Sequence, residues 1–274
     1  MIPAQFDYIR AGSVSEAIAA LVEHGDEAKL LAGGHSLIPL MKLRLATPAV
    51  LVDIGSLEEL AYVRDQDGHL AIGAMTRHHD LQHDPVILAH APLLATVAGH
   101  IGDPQVRHRG TIGGSLSHAD PASDLPAAVL ALDGNLVVQG PRGRREIAAS
   151  EFFEGFLETA LDPDEILIEV VVPKTEGGHS YQKFVRRAQD WAIVGVAVAR
   201  VGGAAKVGLV NMGSTPLRAL ATESALASGA SATEAAALAA EGLSPGEDLN
   251  ATPEFRCHLA RVLTRRGLVE AGLP

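Results

Sequence analysis

Two glycine pairs constrain this chain more than any other feature: residues 32–41 read AGGHSLIPLM and residues 111–118 read TIGGSLSH, about 80 positions apart. A glycine pair permits positive φ without a Cβ penalty and lets another group come close to the backbone. Successive N–H groups in such a bend converge on an anion, and nearby Ser or Thr hydroxyls add donors. Ala32 to Ser36 and Thr111 to Ser115 therefore each resemble half of a phosphate-binding nest. The competing reading is a pair of tight turns at strand ends. His35, Ser36, Thr111, Ser115 and His118 weigh toward a ligand, because a turn alone needs no such decoration. A dinucleotide, with two phosphates and two ring systems, is long enough to span both.

The familiar nucleotide and nucleophile motifs do not explain these glycines. There is no GxGxxG with a following ribose-binding acid, no GxxxxGK[ST], and HSLIP does not match GxSxG. The charge balance, 33 Asp plus Glu against 22 Lys plus Arg for a net −11, argues against a nucleic-acid partner. The basic stretches VRHR (106–109) and PRGRR (141–145) are too short to reverse that. A single cysteine, Cys257, excludes an internal disulfide framework and any cysteine-built iron-sulfur site. His78, His79 and His83 in TRHHDLQHDP carry no helical zinc signature, so no metal site is expected there. MIPAQFDYI lacks a signal-peptide pattern and no long apolar run follows, which predicts a cytoplasmic protein whose only route to a membrane is through partners.

The pattern divides the chain at residues 1–55, 56–176 and 177–274. SVSEAIAALVEH (13–24) places Val14, Ile18, Leu21 and Val22 on one helical stripe behind a Ser13/Glu16 capping pair. KLLA and VLVDI (50–54) then read as short strands of a β-α-β start. The middle region adds a strand at 69–75, helical segments around 85–101 broken near Pro92, a helix within 121–133, and the strands NLVVQG and DEILIEVVVP. The last region predicts antiparallel strands in YQKFVRR, WAIVGVAVARV and KVGLVNMG, with helices in SATEAAALAAEG and PEFRCHLARVLTRRG against one face. Glycine and proline punctuation throughout supports an α+β layered fold.

AGGHSLIPLMKLRLATP, IGDPQVRHRGTIGGSLSHADPASDLPA and YQKFVRRAQDWAIVGVAVA, in that order, resemble the FAD-binding medium subunits of the molybdenum hydroxylase (xanthine oxidase) family, carbon monoxide dehydrogenase medium-chain type. The resemblance spans essentially the whole chain. It implies a two-subdomain PCMH-type (vanillyl-alcohol oxidase-like) FAD-binding domain and an α+β C-terminal domain with a three- or four-stranded antiparallel sheet. It also implies that Ala32, Gly33, Gly34, His35, Ser36 and Leu37 wrap the pyrophosphate from one side. Thr111, Gly114, Ser115 and Asp124 would close the other side around the diphosphate and ribityl chain, with Ile112 and Gly113 positioning that loop. SLSHADPASD departs from the asparagine-rich stretch associated with the carbon monoxide enzymes, which weakens carbon monoxide as the substrate.

Several residues beside these motifs invite a role. Arg109 places a charge next to the second glycine pair, where it can meet a phosphate. Lys183 on a strand can face a flavin edge and favour the negative charge that arrives with two electrons; the competing reading is a surface lysine. Tyr181 shares its strand face by period two. Asp103 and Arg107 are expected to pair or to touch the cofactor, Asp190 and Trp191 to organise the start of the third region, and Trp191 to lie in the core.

The function implied by the resemblance is electron transfer with no catalytic residue and no metal in this chain. FAD would take electrons from two [2Fe-2S] clusters of a small partner subunit, while a large partner carrying a molybdenum-pterin cofactor oxidises carbon monoxide, an aldehyde or an N-heterocycle. The expected assembly is a dimer of heterotrimers. The alternatives are a stand-alone flavin oxidase or dehydrogenase of the same superfamily, and a non-catalytic binding protein that keeps the fold without the cofactor.

Overall fold

Branched residues and glycine-proline breaks fold the chain into three main sheets and a two-stranded hairpin among the described residues; the computed structural model describes residues 2–273. The first unit comprises β1 (Asp7–Arg10), α1 (Val14–His24), β2 (Ala28–Leu31), α2 (Leu37–Lys42) and β3 (Val50–Asp53). α1 begins where the sequence signals: Ser13 accepts the Glu16 amide at 3.2 Å, and Val14, Ala17, Ile18 and Leu21 form its buried stripe, whereas Val22, expected on that stripe, is 55% exposed. Its three strands are parallel in the order β1-β3-β2. β1 is a strand that the sequence pattern hides, because DYIR is largely exposed and shows no apolar alternation.

The second unit is built on an antiparallel sheet of β4 (Val63–Gln66), β5 (His69–Gly73), β6 (Asn135–Gly140), β7 (Gly143–Ala148) and β10 (Ile166–Pro173), in the order β4-β5-β10-β6-β7. A small hairpin of β8 (Phe153–Gly155) and β9 (Glu158–Thr159) precedes β10. The basic PRGRR segment supplies the turn into and the first residues of the edge strand β7, where Arg144 and Arg145 are exposed and guard an otherwise open edge. Between β5 and β6 run α3 (His78–His83), α4 (Pro85–His90), α5 (Pro92–Gly99), α6 (Pro104–Arg107), α7 (Ile112–His118) and α8 (Asp124–Ala131); the short α9 (Ala149–Phe152) follows β7. α4, α5 and α6 each open on proline, whose fixed φ suits a first helical position and whose missing N–H has no partner to lose there.

The third unit is an antiparallel sheet, β11 (Ser180–Phe184), β12 (Val194–Val201), β13 (Ala204–Val210) and β14 (Leu217–Arg218), followed by α10 (Leu220–Ala227), α11 (Ala232–Ala237) and α12 (Pro253–Glu270). α11 and α12 bury Ala235, Leu259, Ala260 and Leu263 with Val196, Val198 and Leu209 of the sheet. The expectation of helices on one face is incomplete, because α8 of the second unit covers the other. Every residue of α8 is buried, as befits a helix that is apolar around its circumference. A Cβ on Gly208 would collide with the Ala127 carbonyl, so the glycine is what lets helix and sheet meet. Leu125 and Ala128 thereby share one core with Tyr181, Ala197 and Val210, joining the second and third units.

Candidate cofactor site

The first glycine pair leaves β2 and enters α2. Of the four glycines in the two pairs, only Gly34 has positive φ, at +79°. The amides of residues 33–37 donate to no other backbone carbonyl among the described residues, while the Gly34 and Ser36 carbonyls accept from Ile38 and Leu40. Ser36 makes no side-chain cap to α2. Five successive amides and a hydroxyl are thus left for something outside the local backbone, which is the donor set of an anion nest. His35 is exposed, and Ala32, Gly33, Gly34, Ser36 and Leu37 are half-buried.

The second pair behaves differently and corrects the idea of two equivalent nests. It is the first turn of α7, and its amides are all engaged: Ile112 donates to the Thr76 carbonyl at 3.1 Å, Gly113 to the Ala74 carbonyl at 2.8 Å, and Ser115 to the Thr111 carbonyl at 3.0 Å. Gly114 donates to Thr111 Oγ1 at 3.1 Å, the helix N-cap. Gly113 is required for packing, since a Cβ there would lie 2.6 Å from the Ala74 Cβ and 2.7 Å from its carbonyl oxygen. Ile112 is fully buried and anchors the turn in the core.

The fold then presses the two motifs together. A Cβ on Gly33 would run into the Arg109 carbonyl and the Gly110 Cα, and one on Gly114 would stand 3.8 Å from the Ala32 Cβ. Arg109 is exposed, and no acid lies within ion-pair distance of it among the described residues. The loop before α7 is held by Arg107, whose Nη1 donates to the Ile101 carbonyl at 3.0 Å and reaches the Gly99 and Gly102 carbonyls at 3.5 and 3.4 Å. Asp103 caps α6 through the Val106 amide at 2.9 Å. The expected Asp103–Arg107 pair is therefore absent, each side chain serving backbone instead.

Asp124 and Lys183 are brought together as a buried pair. Lys183 Nζ donates to Asp124 Oδ2 at 2.8 Å and to the His100 carbonyl at 3.0 Å, and each side chain is only 7% exposed. Tyr181, on the same strand face, donates its hydroxyl to the other oxygen of Asp124. The surface-lysine reading is excluded by this burial. Burial pushes the Asp124 carboxyl above its ordinary range, and Lys183 and Tyr181 pull the other way. Burial and the neighbouring carboxylate hold the Tyr181 hydroxyl well above its usual range, so it stays a donor. Trp191 is 58% exposed, which corrects its assignment to the core, and Asp190 pairs locally with Arg187 at 3.0 Å.

Sequence reasoning missed two groups at this site, His78 and Arg77. His78 is buried beneath the second turn, its amide donating to the Gly110 carbonyl at 3.0 Å, and desolvation first, then His35 and the nearby arginines, lower its pKa to about 3. Arg77 Nη1 donates to the Arg109 carbonyl and its Nη2 lies 3.4 Å from the Gly55 carbonyl. His78 is followed in the chain by no residue that marks its burial, and the carbonyl partners of Arg77, four residues past the strand HLAIG, leave no trace in the sequence. His79 stacks between His83 and His108 at centroid distances of 4.4 and 4.1 Å, and no group of three or more acids, histidines or cysteines among the described residues can hold a metal.

The donor set fits a dinucleotide diphosphate: five amides without a backbone partner, a free hydroxyl and two nearby guanidinium groups, on a face where added side chains at Gly33 or Gly114 would intrude. Residues 4–175 match the FAD binding domain in molybdopterin dehydrogenase, and residues 179–271 match the CO dehydrogenase flavoprotein C-terminal domain. The carbon monoxide dehydrogenase medium chain of Hydrogenophaga pseudoflava is 41% identical over 279 residues, covering 98% of this chain and 97% of that one. Among solved structures, the carbon monoxide dehydrogenase of the same organism, in a form lacking the Mo-pyranopterin moiety, superposes with a TM-score of 0.94 at 42% identity, covering 99% of both chains. Quinoline 2-oxidoreductase from Pseudomonas putida 86 superposes with a TM-score of 0.92 at 31% identity, covering 99% of this chain and 98% of that one. With both of its domains matched and its full length aligned, the chain belongs to the family of FAD-binding medium subunits of molybdopterin dehydrogenases.

Proposed function

We propose that this chain binds FAD with its diphosphate on the amides of residues 33–37 and passes electrons from [2Fe-2S] centres of a small partner subunit to an external acceptor. The undonated amides facing the second motif carry this reading. In it, Ala32 through Leu37 supply the donors, Ser36 adds a hydroxyl, and Arg109 supplies charge. Thr111, Ile112, Gly113, Gly114 and Ser115 form the opposing wall. Asp124 holds Lys183 against the His100 carbonyl, where α5 ends, and the lysine sets the charge beside the flavin ring. FAD, when bound, supplies a carrier that accepts two electrons and releases them singly.

The partners follow from chemistry as well as from kinship. One cysteine cannot ligate a cluster, so the iron-sulfur centres lie elsewhere, as does the molybdenum-pterin cofactor on a large subunit. We assign the complex as a dimer of heterotrimers. Relatives named for carbon monoxide and for quinoline share this fold at similar TM-scores, so the substrate is set in the large subunit and not here. No helix among the described residues is long and apolar enough to cross a membrane.

The test is the visible absorption of the purified chain before and after incubation with FAD, with folding checked by circular dichroism. Retained flavin absorption after gel filtration is expected. A folded chain that stays colourless overturns the reading and leaves both glycine pairs as structural turns.

A further inference from the structure

We infer that Arg77 is a positioning residue that clasps the first unit to the second and holds the Arg109 carbonyl against Gly33, fixing the width of the diphosphate cradle. The inference rests on the FAD reading above. Arg77 stands on the template that lays down the second motif: the segment 74–78 accepts the Gly113 and Ile112 amides at the Ala74 and Thr76 carbonyls, and donates the His78 amide to Gly110. Arg77 itself bridges Thr111 as an isolated antiparallel partner. From there its guanidinium reaches two carbonyls on opposite sides of the cradle, Arg109 in the second unit and Gly55 in the first.

Both ends of this clasp are themselves fixed. The Gly55 amide donates to Asp53 Oδ1 at 2.7 Å, and the other oxygen of Asp53 accepts the Tyr8 hydroxyl at 2.5 Å, which ties the turn after β3 to β1. On the other side the Arg109 carbonyl occupies the space that a Cβ on Gly33 would need. A planar guanidinium with several donors in fixed directions can hold two carbonyls at a set separation, whereas an ammonium on a flexible stem cannot.

Charge adds a second consequence. Among the described residues, no carboxylate lies within ion-pair distance of Arg77; burial first and then the neighbouring Arg109 lower its pKa, while the more distant Asp80 and Asp53 pull the other way. Arg77 and Arg109 repel each other across this corner, only partly offset by Asp80 and Asp53, and an anion bound nearby lowers that repulsion. A diphosphate relieves that repulsion, so Arg77 couples the shape of the cradle to the charge of what enters it.

The experiment compares full-length wild type, Arg77→Gln and Arg77→Lys, each freed of flavin, for FAD affinity, for competition by inorganic pyrophosphate and for thermal midpoint. Arg77→Gln should weaken both FAD and pyrophosphate by about tenfold, the loss expected for one charge-assisted hydrogen bond. Arg77→Lys should recover pyrophosphate binding, which needs charge, more fully than FAD binding, which also needs the set width. Unchanged FAD affinity in Arg77→Gln, with or without a lower thermal midpoint, overturns the clasp and makes Arg77 a packing residue only. Should Arg77→Gln fail to fold, equal losses of FAD and pyrophosphate in Arg77→Lys overturn it as well. A wild-type chain that binds neither ligand overturns the FAD reading, and the clasp with it.

Discussion

The two glycine pairs look alike in sequence and do opposite work in the fold. At the first, Gly34 takes positive φ and the amides of residues 33–37 stay free of backbone partners. At the second, no glycine has positive φ, and the amides of residues 112–115 are engaged with Thr76, Ala74 and Thr111. One pair frees donors, and the other removes side chains so that a helix can press against Ala74, just past β5, and against the first pair. A shared glycine motif therefore has two physical meanings, and only the destination of each amide separates them. The comparison predicts that damage at the first motif costs ligand affinity and damage at the second, or in its braces, costs stability.

The largest effect is expected at the buried Asp124–Lys183 pair, which joins α8 to β11. Lys183→Met leaves the Asp124 carboxyl buried with Tyr181 as its remaining side-chain donor, a change that costs about 3–5 kcal/mol when one member of a buried pair is removed. Urea denaturation of the flavin-free chain measures it. The double variant Lys183→Met/Asp124→Leu should recover most of the loss, because an apolar pair has no stranded charge. If Lys183 also faces the flavin, the midpoint potential of bound FAD falls in the single variant, and an unshifted potential separates the pair from the cofactor.

Next comes the contact between the motifs. Gly33→Val forces a branched side chain toward the Arg109 carbonyl and Gly110, and the second motif cannot retreat because its amides are tied to Ala74 and Thr76. Overpacking of this kind costs about 1–3 kcal/mol, and here it widens the cradle, so FAD affinity should fall up to about a hundredfold. Titration of the variant with FAD checks this. An affinity equal to wild type would mean that the diphosphate does not rest between the motifs.

Much of this arrangement was legible beforehand, for local reasons. Strand-forming runs such as VLVD and VGVAVARV carry their own branched residues, the Ser13 cap lies three residues from its target, and period two puts Tyr181 and Lys183 on one face. What stayed hidden depends on distant partners. Asp124 is nearly 60 positions from both of its donors, and nothing in PASDLPA distinguishes a carboxylate that will meet a lysine from one that will face a ribityl chain. Arg77 and Arg107 act on backbone carbonyls, which have no sequence signature at all. β1 and β7 escaped because edge strands with exposed polar faces lack the apolar alternation that marks a strand.

A pH measurement sharpens the comparison further, because His78 is buried under the turn that leads into the second motif. The unfolded chain binds a proton at this histidine below its ordinary pKa of 6.5, while the folded chain excludes it down to about 3. Stability contributed by the neutral, buried ring is therefore complete above pH 6.5 and is lost as pH falls toward 3, at about 1.4 kcal/mol per pH unit. His78→Gln should flatten the thermal midpoint between pH 7 and pH 5 by roughly that slope. A variant that keeps the wild-type slope would place the acid sensitivity in other groups.

The smallest effects give the cleanest division between the motifs, because they exchange single hydroxyls. Thr111 Oγ1 caps α7 at the Gly114 amide, so Thr111→Val, which keeps the shape and removes the acceptor, should lower stability by about 1 kcal/mol and leave FAD affinity in place. Ser36 caps nothing in α2, so Ser36→Ala should leave stability in place and weaken FAD by about fivefold to tenfold, the worth of one hydrogen bond. Denaturation and FAD titration of both variants yield four numbers that should fall on opposite diagonals. If Thr111→Val loses affinity as well, its hydroxyl turns toward the ligand in the bound state and the second motif contributes a donor after all. If Ser36→Ala changes neither number, the free amides alone hold the diphosphate, and the difference between the two motifs lies entirely in the backbone.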